Sequence, residues 1–188
     1  MLQPDFSSFP ELHTERLILR KILPADAAAI YKMRSNKEVM KYVGKKPFVT
    51  IAEARAFINT VEEALLSGEG ITWAIALKER PENLIGTIGH WRIIKAHYRA
   101  EVGYTLQQEY WRQGIVKEAL LKIIDYGFNL LQLHSLEAHI NPANIASAKV
   151  LESVGFIKEA HFKGSFFFDG KFEDAAVYSR LNVSPDKP

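Results

Sequence analysis

The run Tyr110-Trp111-Arg112-Gln113-Gly114-Ile115-Val116-Lys117-Glu118-Ala119-Leu120 carries the strongest chemical signal in the chain. It follows a strand-like segment, Glu101-Val102-Gly103-Tyr104-Thr105-Leu106, and leads into apolar residues at helical spacing. A strand, a short loop with one glycine and a helix start leave several backbone N–H groups unpaired and pointing the same way. The partial positive charge of such a helix end makes it an anion site, with a phosphorylated ligand as its natural occupant. An ordinary strand-to-helix turn has the same local pattern, so this segment alone leaves both open. A second segment, Asn141-Pro142-Ala143-Asn144-Ile145-Ala146-Ser147-Ala148-Lys149-Val150-Leu151-Glu152-Ser153-Val154-Gly155-Phe156, reads as strand end, capped helix and Gly-Phe step into a new strand. Asn144 is a good N-cap residue for that helix.

In this order and spacing the two segments resemble the GCN5-related N-acetyltransferases, the GNAT superfamily. Trp111, the Asn144-x-x-Ser147 pair, the closing Leu151 to Phe156 and the opening Thr14-Glu15-Arg16-Leu17-Ile18-Leu19-Arg20 are most similar to the Rim-type branch. That branch acetylates the N-termini of ribosomal proteins. The resemblance runs from about Leu12 to Leu181. It implies an α+β fold: a twisted, mostly antiparallel sheet whose fourth and fifth strands splay apart, flanked by helices on both faces. It also implies acetyl-CoA as co-substrate, entering the cleft between the splayed strands.

Carried over residue by residue, the resemblance places Tyr104, Thr105 and Leu106 along the acyl-CoA. The pyrophosphate falls on the N–H groups of Arg112, Gln113, Gly114, Ile115 and Val116, with Trp111 opening the loop. The family commonly has a basic residue or Gln at position 111 and Gly or Ala at position 116; Trp at 111 is usual for the Rim-type branch. Asn144 and Ser147 are expected at the pantetheine or thiol, and Lys149 near the phosphates.

The implied reaction is attack of a neutral amine on the thioester, with backbone N–H groups of the 102–106 strand polarising the carbonyl. Glu101 is the expected base, directly or through water, although an exposed strand-end Glu would look the same. Ser147 is the expected proton donor to the thiolate, because Leu151 stands where many members carry a tyrosine. Phe166-Phe167-Phe168 stand where some Rim-type enzymes carry a carboxylate. Trp73, Trp91 and Phe168 could wall an acceptor pocket or belong to the core. His90 reads as a strand histidine. Glu118 reads as helix support, complementing the dipole and Lys122 four residues on.

The elements that must position these residues follow an α/β order. Leu17, Leu19 and Lys21 alternate with Arg16, Ile18, Arg20 and Ile22 in a short strand. A helical stretch from Pro24-Ala25-Asp26 turns Ala29, Ile30, Met33, Val39, Met40 and Val43 inward, and a second helix follows Thr50 and ends at Gly68 and Gly70. Strands at 72–77 and 84–94 precede the 101–106 strand. Next comes a long helix whose stripe is Val116, Ala119, Leu120, Ile123, Ile124, Phe128 and Leu131. Asp169-Gly170 between Phe-rich runs signals a type I′ hairpin. Residues 1–11 read as an N-terminal extension, 12–182 as one acetyltransferase domain and 183–188 as a flexible tail.

With 24 basic and 22 acidic residues, the formal charge of +2 gives no field for nucleic acid. The absence of cysteine excludes disulfides and thiol nucleophiles. No signal-peptide pattern and no 18-residue apolar stretch occurs, so a cytoplasmic protein without a membrane partner is expected. No His, Asp or Glu grouping has metal-ligand spacing in sequence, so no metal is expected. Three functions remain: acetylation of a protein N-terminus, acetylation of a small amine, and binding of acyl-CoA without turnover. A homodimer is left open.

Overall fold

Alternating apolar residues lay down most of the strands, and the computed structural model, which describes residues 2–182, joins them in one eight-stranded sheet. The strands are β1 (Leu12–His13), β2 (Leu17–Lys21), β3 (Ile71–Leu77), β4 (Gly86–Ile94), β5 (Arg99–Leu106), β6 (Ser135–Ile140), β7 (Ile157–Phe168) and β8 (Lys171–Leu181). Helices α1 (Ala27–Ser35), α2 (Lys37–Met40), α3 (Ile51–Leu66), α4 (Ile115–Asp125) and α5 (Ile145–Ser153) fill the connections. The spatial order is β1-β2-β3-β4-β5-β6-β8-β7. Among the described residues only β5 and β6 pair in parallel, and α4 lies in the crossover between them, as a parallel connection requires.

Alternation along β3 divides the core. Trp73 and Ile75 join Ala119, Leu120 and Ile123 of α4, whereas Ala74 packs with Ile30, Met33, Ala54 and Ile58 of α1 and α3. Helices therefore cover both faces, which is the mixed α+β architecture expected. None of them is long and apolar enough to cross a membrane among the described residues.

The first helical stretch is interrupted where one run was expected. Asn36 takes an extended conformation (φ −74°, ψ 116°) and its side chain accepts from the Glu38 N–H, so α1 stops and the short α2 begins. Asparagine competes for backbone hydrogen bonds in just this way. The α4 stripe continues past Asp125 through a π turn at Tyr126–Leu130. A Cβ on Gly127 would come 3.1 Å from the His90 ring, so glycine lets this turn close over the histidine without displacing it. Asp169 and Gly170 both have positive φ (49° and 84°), the type I′ geometry expected of the hairpin.

Residues from the N-terminal extension are packed: the Leu2 N–H donates to the Lys95 carbonyl, and the Trp73 Nε1–H donates to the Pro10 carbonyl at 2.7 Å. The expected tail, 183–188, lies outside the described residues. One departure from regular pairing positions the site. β5 and β6 are in register only at Arg99↔Ser135, Ala100↔Leu136 and Glu101↔Glu137. Beyond Glu101, β5 stays bonded to β4 and β6 stays bonded to β8, so the two strands part. With the short β1 left out of the count, these are the fourth and fifth strands of the superfamily pattern.

Candidate active site

Where β5 and β6 separate, a cleft of about 720 Å³ opens between the sheet and the α1–α3 layer. Its sheet side is lined by Thr72, Thr87, Gly89, Trp91 and residues 101–105. Ala138, His139 and Ile140 line it from β6, with Asn144 and Ser147 at the start of α5. Arg34, Phe48 and Phe57 contribute from the helical side. A concave, mostly apolar site with a few convergent polar groups is the common form of a small-molecule site.

At the parting of the strands, the Asn144 side chain accepts from the Ser147 N–H at 3.1 Å and caps α5. The cap fixes the first turn, which directs Ser147 toward β5. Its Oγ lies 2.7 Å from the Tyr104 hydroxyl. Burial pushes Tyr104 up to about 12, against the opposing bond to Ser147, so the phenol keeps its proton throughout the neutral range. Leu151 is wholly buried in the core. A tyrosine hydroxyl thus reaches the α5 N-terminus from β5, a contact between residues 43 apart that sequence spacing did not announce.

Glu101 is the last β5 residue paired to β6, and only 6% of it is exposed. It is therefore no solvated strand end. A bulge in β4 between His90 and Arg92 leaves Trp91 outside the ladder, half exposed in the cleft. The bulge sets Arg92 across from Glu101, 2.9 Å between Nη2 and Oε2. Parallel pairing brings Glu137 alongside, and His139 approaches Glu137 to 3.8 Å. Burial raises the Glu101 pKa above the usual carboxylate value. His139 and Arg92 pull it back, Glu137 adds to the rise, and a bond from Trp91 opposes it. The ligand atoms of Glu101, Glu137 and His139 lie within 4.8 Å of one another, a grouping that linear spacing hid. Arg92 and Arg99 lean on the two carboxylates, which already balances their charge with guanidinium.

The glycine loop lies beyond β5. Arg112 (φ 61°) and Gly114 (φ 77°) are both left-handed, and the first intrahelical bond runs from the Glu118 N–H to the Gly114 carbonyl. The N–H groups of Ile115, Val116 and Lys117 precede that bond and are open at the helix start. A Cβ on Gly114 would meet nothing nearer than the Arg16 guanidinium at 3.5 Å, so the loop leaves space for a ligand atom to approach. Trp111 folds back, its Nε1–H donating to the Leu106 carbonyl at 2.9 Å, and braces the loop on the end of β5. Glu118 is structural as expected, but its partner differs. Thr14, the Arg16 N–H and the Arg16 guanidinium all donate to it, while Lys122 lies by Asp125. Burial alone would raise the Glu118 pKa; those bonds outweigh it and hold it low.

Some expected site residues lie elsewhere. Trp73 is fully buried, stacked edge-on to Phe9, His90 and Tyr126, and does not wall an acceptor pocket. Its indole fills the α4 face of β3, which is the wrong side of the sheet. Phe168 stacks on Phe166, 6.2 Å between centroids, in the β7–β8 hairpin and is outside the cleft lining. Lys149 is exposed on α5, two residues from Ser147 and so on a different helix face. His90 is buried, its Nε2 2.9 Å from the Ile123 carbonyl and its Nδ1 without a partner; burial lowers it to about 4, so it stays neutral. Arg34 and Arg92 were not singled out by sequence, because isolated arginines carry no spacing signal.

Residues 16–157 match the family model for the acetyltransferase (GNAT) domain. The uncharacterized N-acetyltransferase YoaA of Bacillus subtilis is 39% identical over 91% of this chain and 96% of its own. The structure of ribosomal-protein-S5-alanine acetyltransferase from Vibrio fischeri superposes with a TM-score of 0.82 at 27% identity, covering 95% of this chain and all of that one (100%). A spermidine N(1)-acetyltransferase of Vibrio cholerae is 24% identical over 85% of this chain and 89% of its own. A family match over most of the length, together with a named N-acetyltransferase this similar end to end, places the chain in the GNAT acetyltransferase family, as an N-acetyltransferase.

Proposed function

We propose that the chain transfers the acetyl group of acetyl-CoA to the N-terminal α-amine of a protein, ribosomal proteins being the model acceptors. The observation that carries this is the convergence of a buried carboxylate, Glu101, and the Tyr104–Ser147 hydroxyl pair on one cleft at the parting of β5 and β6. The open N–H groups at the start of α4 take the pyrophosphate, with Gly114 admitting it closely. Backbone N–H groups of β5 freed by the parting polarise the thioester carbonyl. Glu101 takes a proton from the amine, and Ser147, backed by Tyr104, donates one to the departing thiolate.

The acceptor follows from the proposed base being a carboxylate. An α-amine with a pKa near 8 is roughly a tenth neutral at pH 7, whereas a lysine near 10.4 is neutral in less than about one molecule in a thousand. A carboxylate held between Arg92 and Glu137 suits the easier deprotonation. A small amine is the second reading, favoured by the likeness to the spermidine enzyme.

A thiol-release assay with acetyl-CoA tests the choice. Peptides should be acetylated only at their first residue, and blocking the α-amine while leaving lysines free should abolish release. Acetyl groups found on lysine side chains, or on polyamines alone, overturn the N-terminal reading and leave acetyl transfer standing.

A further inference from the structure

Arg34, near the end of α1, lines the helical side of the cleft. Its guanidinium carbon lies 4.1 Å from the centroid of the Phe57 ring and 5.6 Å from that of Phe48. Its Nε is buried with no hydrogen-bond partner, and no carboxylate pairs with the side chain among the described residues. Burial lowers its pKa to about 10, which leaves it charged at neutral pH. A cation taken from water without a protein counter-charge is costly to hold. Charge kept in that state inside a cleft marks a functional group.

The other charges around the cleft do not answer it. The Glu53 carboxylate accepts from the Val49 and Thr50 N–H groups that precede α3, and Glu101 is held by Arg92. Lys45, at the rim, forms no ion pair among the described residues either. The cleft therefore has two unanswered cations on its helical side and rim, and both of its acids are already engaged.

We infer that Arg34 is the acceptor-recognition residue, pairing with a carboxylate carried close to the amine that is acetylated. The inference rests on the amine-transfer reading above and narrows its substrate class. The Phe57 ring face holds the guanidinium in place, and with Nε sealed, the terminal amino groups remain as donors that match a carboxylate edge. The carboxylate comes from an acidic side chain in the first residues of a peptide, or from the α-carboxylate of a free amino acid. A polyamine would instead carry its cations toward Arg34 and Lys45, which is repulsive.

The test measures acceptor and acetyl-CoA kinetics separately with the full chain. The acceptors are peptides with Glu or Gln at the second position, a free amino acid against its amide, and spermidine. Wild-type protein should favour the carboxylate over its amide counterpart by tenfold or more in acceptor kcat/KM. Whichever pair shows the gap identifies the source of the carboxylate. Arg34→Gln should erase the gap through acceptor KM and leave acetyl-CoA KM in place, and Arg34→Lys should restore part of it. Equal use of acid and amide by wild-type protein, a preference for spermidine, or a rise in acetyl-CoA KM in Arg34→Gln overturns the inference. The wild-type comparison needs no folded variant. Transfer without carboxylate preference defeats only this inference, while no thiol release with any amine defeats the transfer reading and this inference with it.

Discussion

Glu101 is held between burial, which favours its neutral form, and Arg92 and His139, which favour its charge. Burial prevails, so the group titrates above an ordinary glutamate. If Glu101 is the base, as proposed, it must be ionised, so the acid limb of kcat/KM should lie above about pH 4.5, the usual glutamate range. Removing the cation in Arg92→Gln should move that limb to higher pH still, since less then opposes the rise. Glu101→Gln should lower turnover by about 10²–10⁴ at pH 7 and leave acetyl-CoA affinity in place. The deficit should shrink as pH rises and more amine is neutral without help. A pH–rate series on the three proteins checks this, and normal Glu101→Gln rates at pH 7 would transfer the role to water.

At the scale of elements, the strand-loop-helix unit of β5 and α4 was legible because its cues are local: one glycine, then apolar residues at helical period. Its support was not. Arg16 and Glu118 lie 102 positions apart, and the bond between them tethers the entry to β2 to the first turn of α4. The same limit explains Tyr104 with Ser147, and Glu101 with Glu137, whose contacts depend on which strands pair and where they stop. Asn36 shows the converse failure: a local cap was overlooked inside an apolar periodicity that ran on past it. The phosphate assignment belongs to this unit. In Gly114→Asp there is room for the Cβ beside Arg16, so the expected harm is charge at the helix start together with left-handed strain. Acetyl-CoA binding should weaken tenfold or more, about 1.4 kcal/mol by calorimetry, with Gly114→Ala reporting the strain alone.

Across the whole molecule, His90 links the sheet to the last turn of α4 through the Ile123 carbonyl, and it links stability to pH. Its folded pKa of about 4 lies below the ordinary 6.5, so below pH 6.5 the unfolded chain binds a proton that the folded chain refuses. The stability it contributes is whole above that value and is lost as pH falls toward 4. Between pH 7 and 5 the loss should be about 2 kcal/mol, readable as a fall in urea midpoint. A His90→Gln variant should lose most of this dependence, and an unchanged slope would assign it to the carboxylates. The sheet order has a consequence for how the protein is made. β6 forms one flank of the cleft, yet along its whole length its neighbours on the outer side are β8 and then β7. During synthesis α4 and the β2–β5 sheet can assemble while β6 still waits for residues 171–181 to be translated. The β6 flank of the cleft is thus the last to gain its outer partner, and with it the core residues Ala176 and Tyr178, so a nascent chain that has only β2–β5 and α4 in place still lacks the finished cleft.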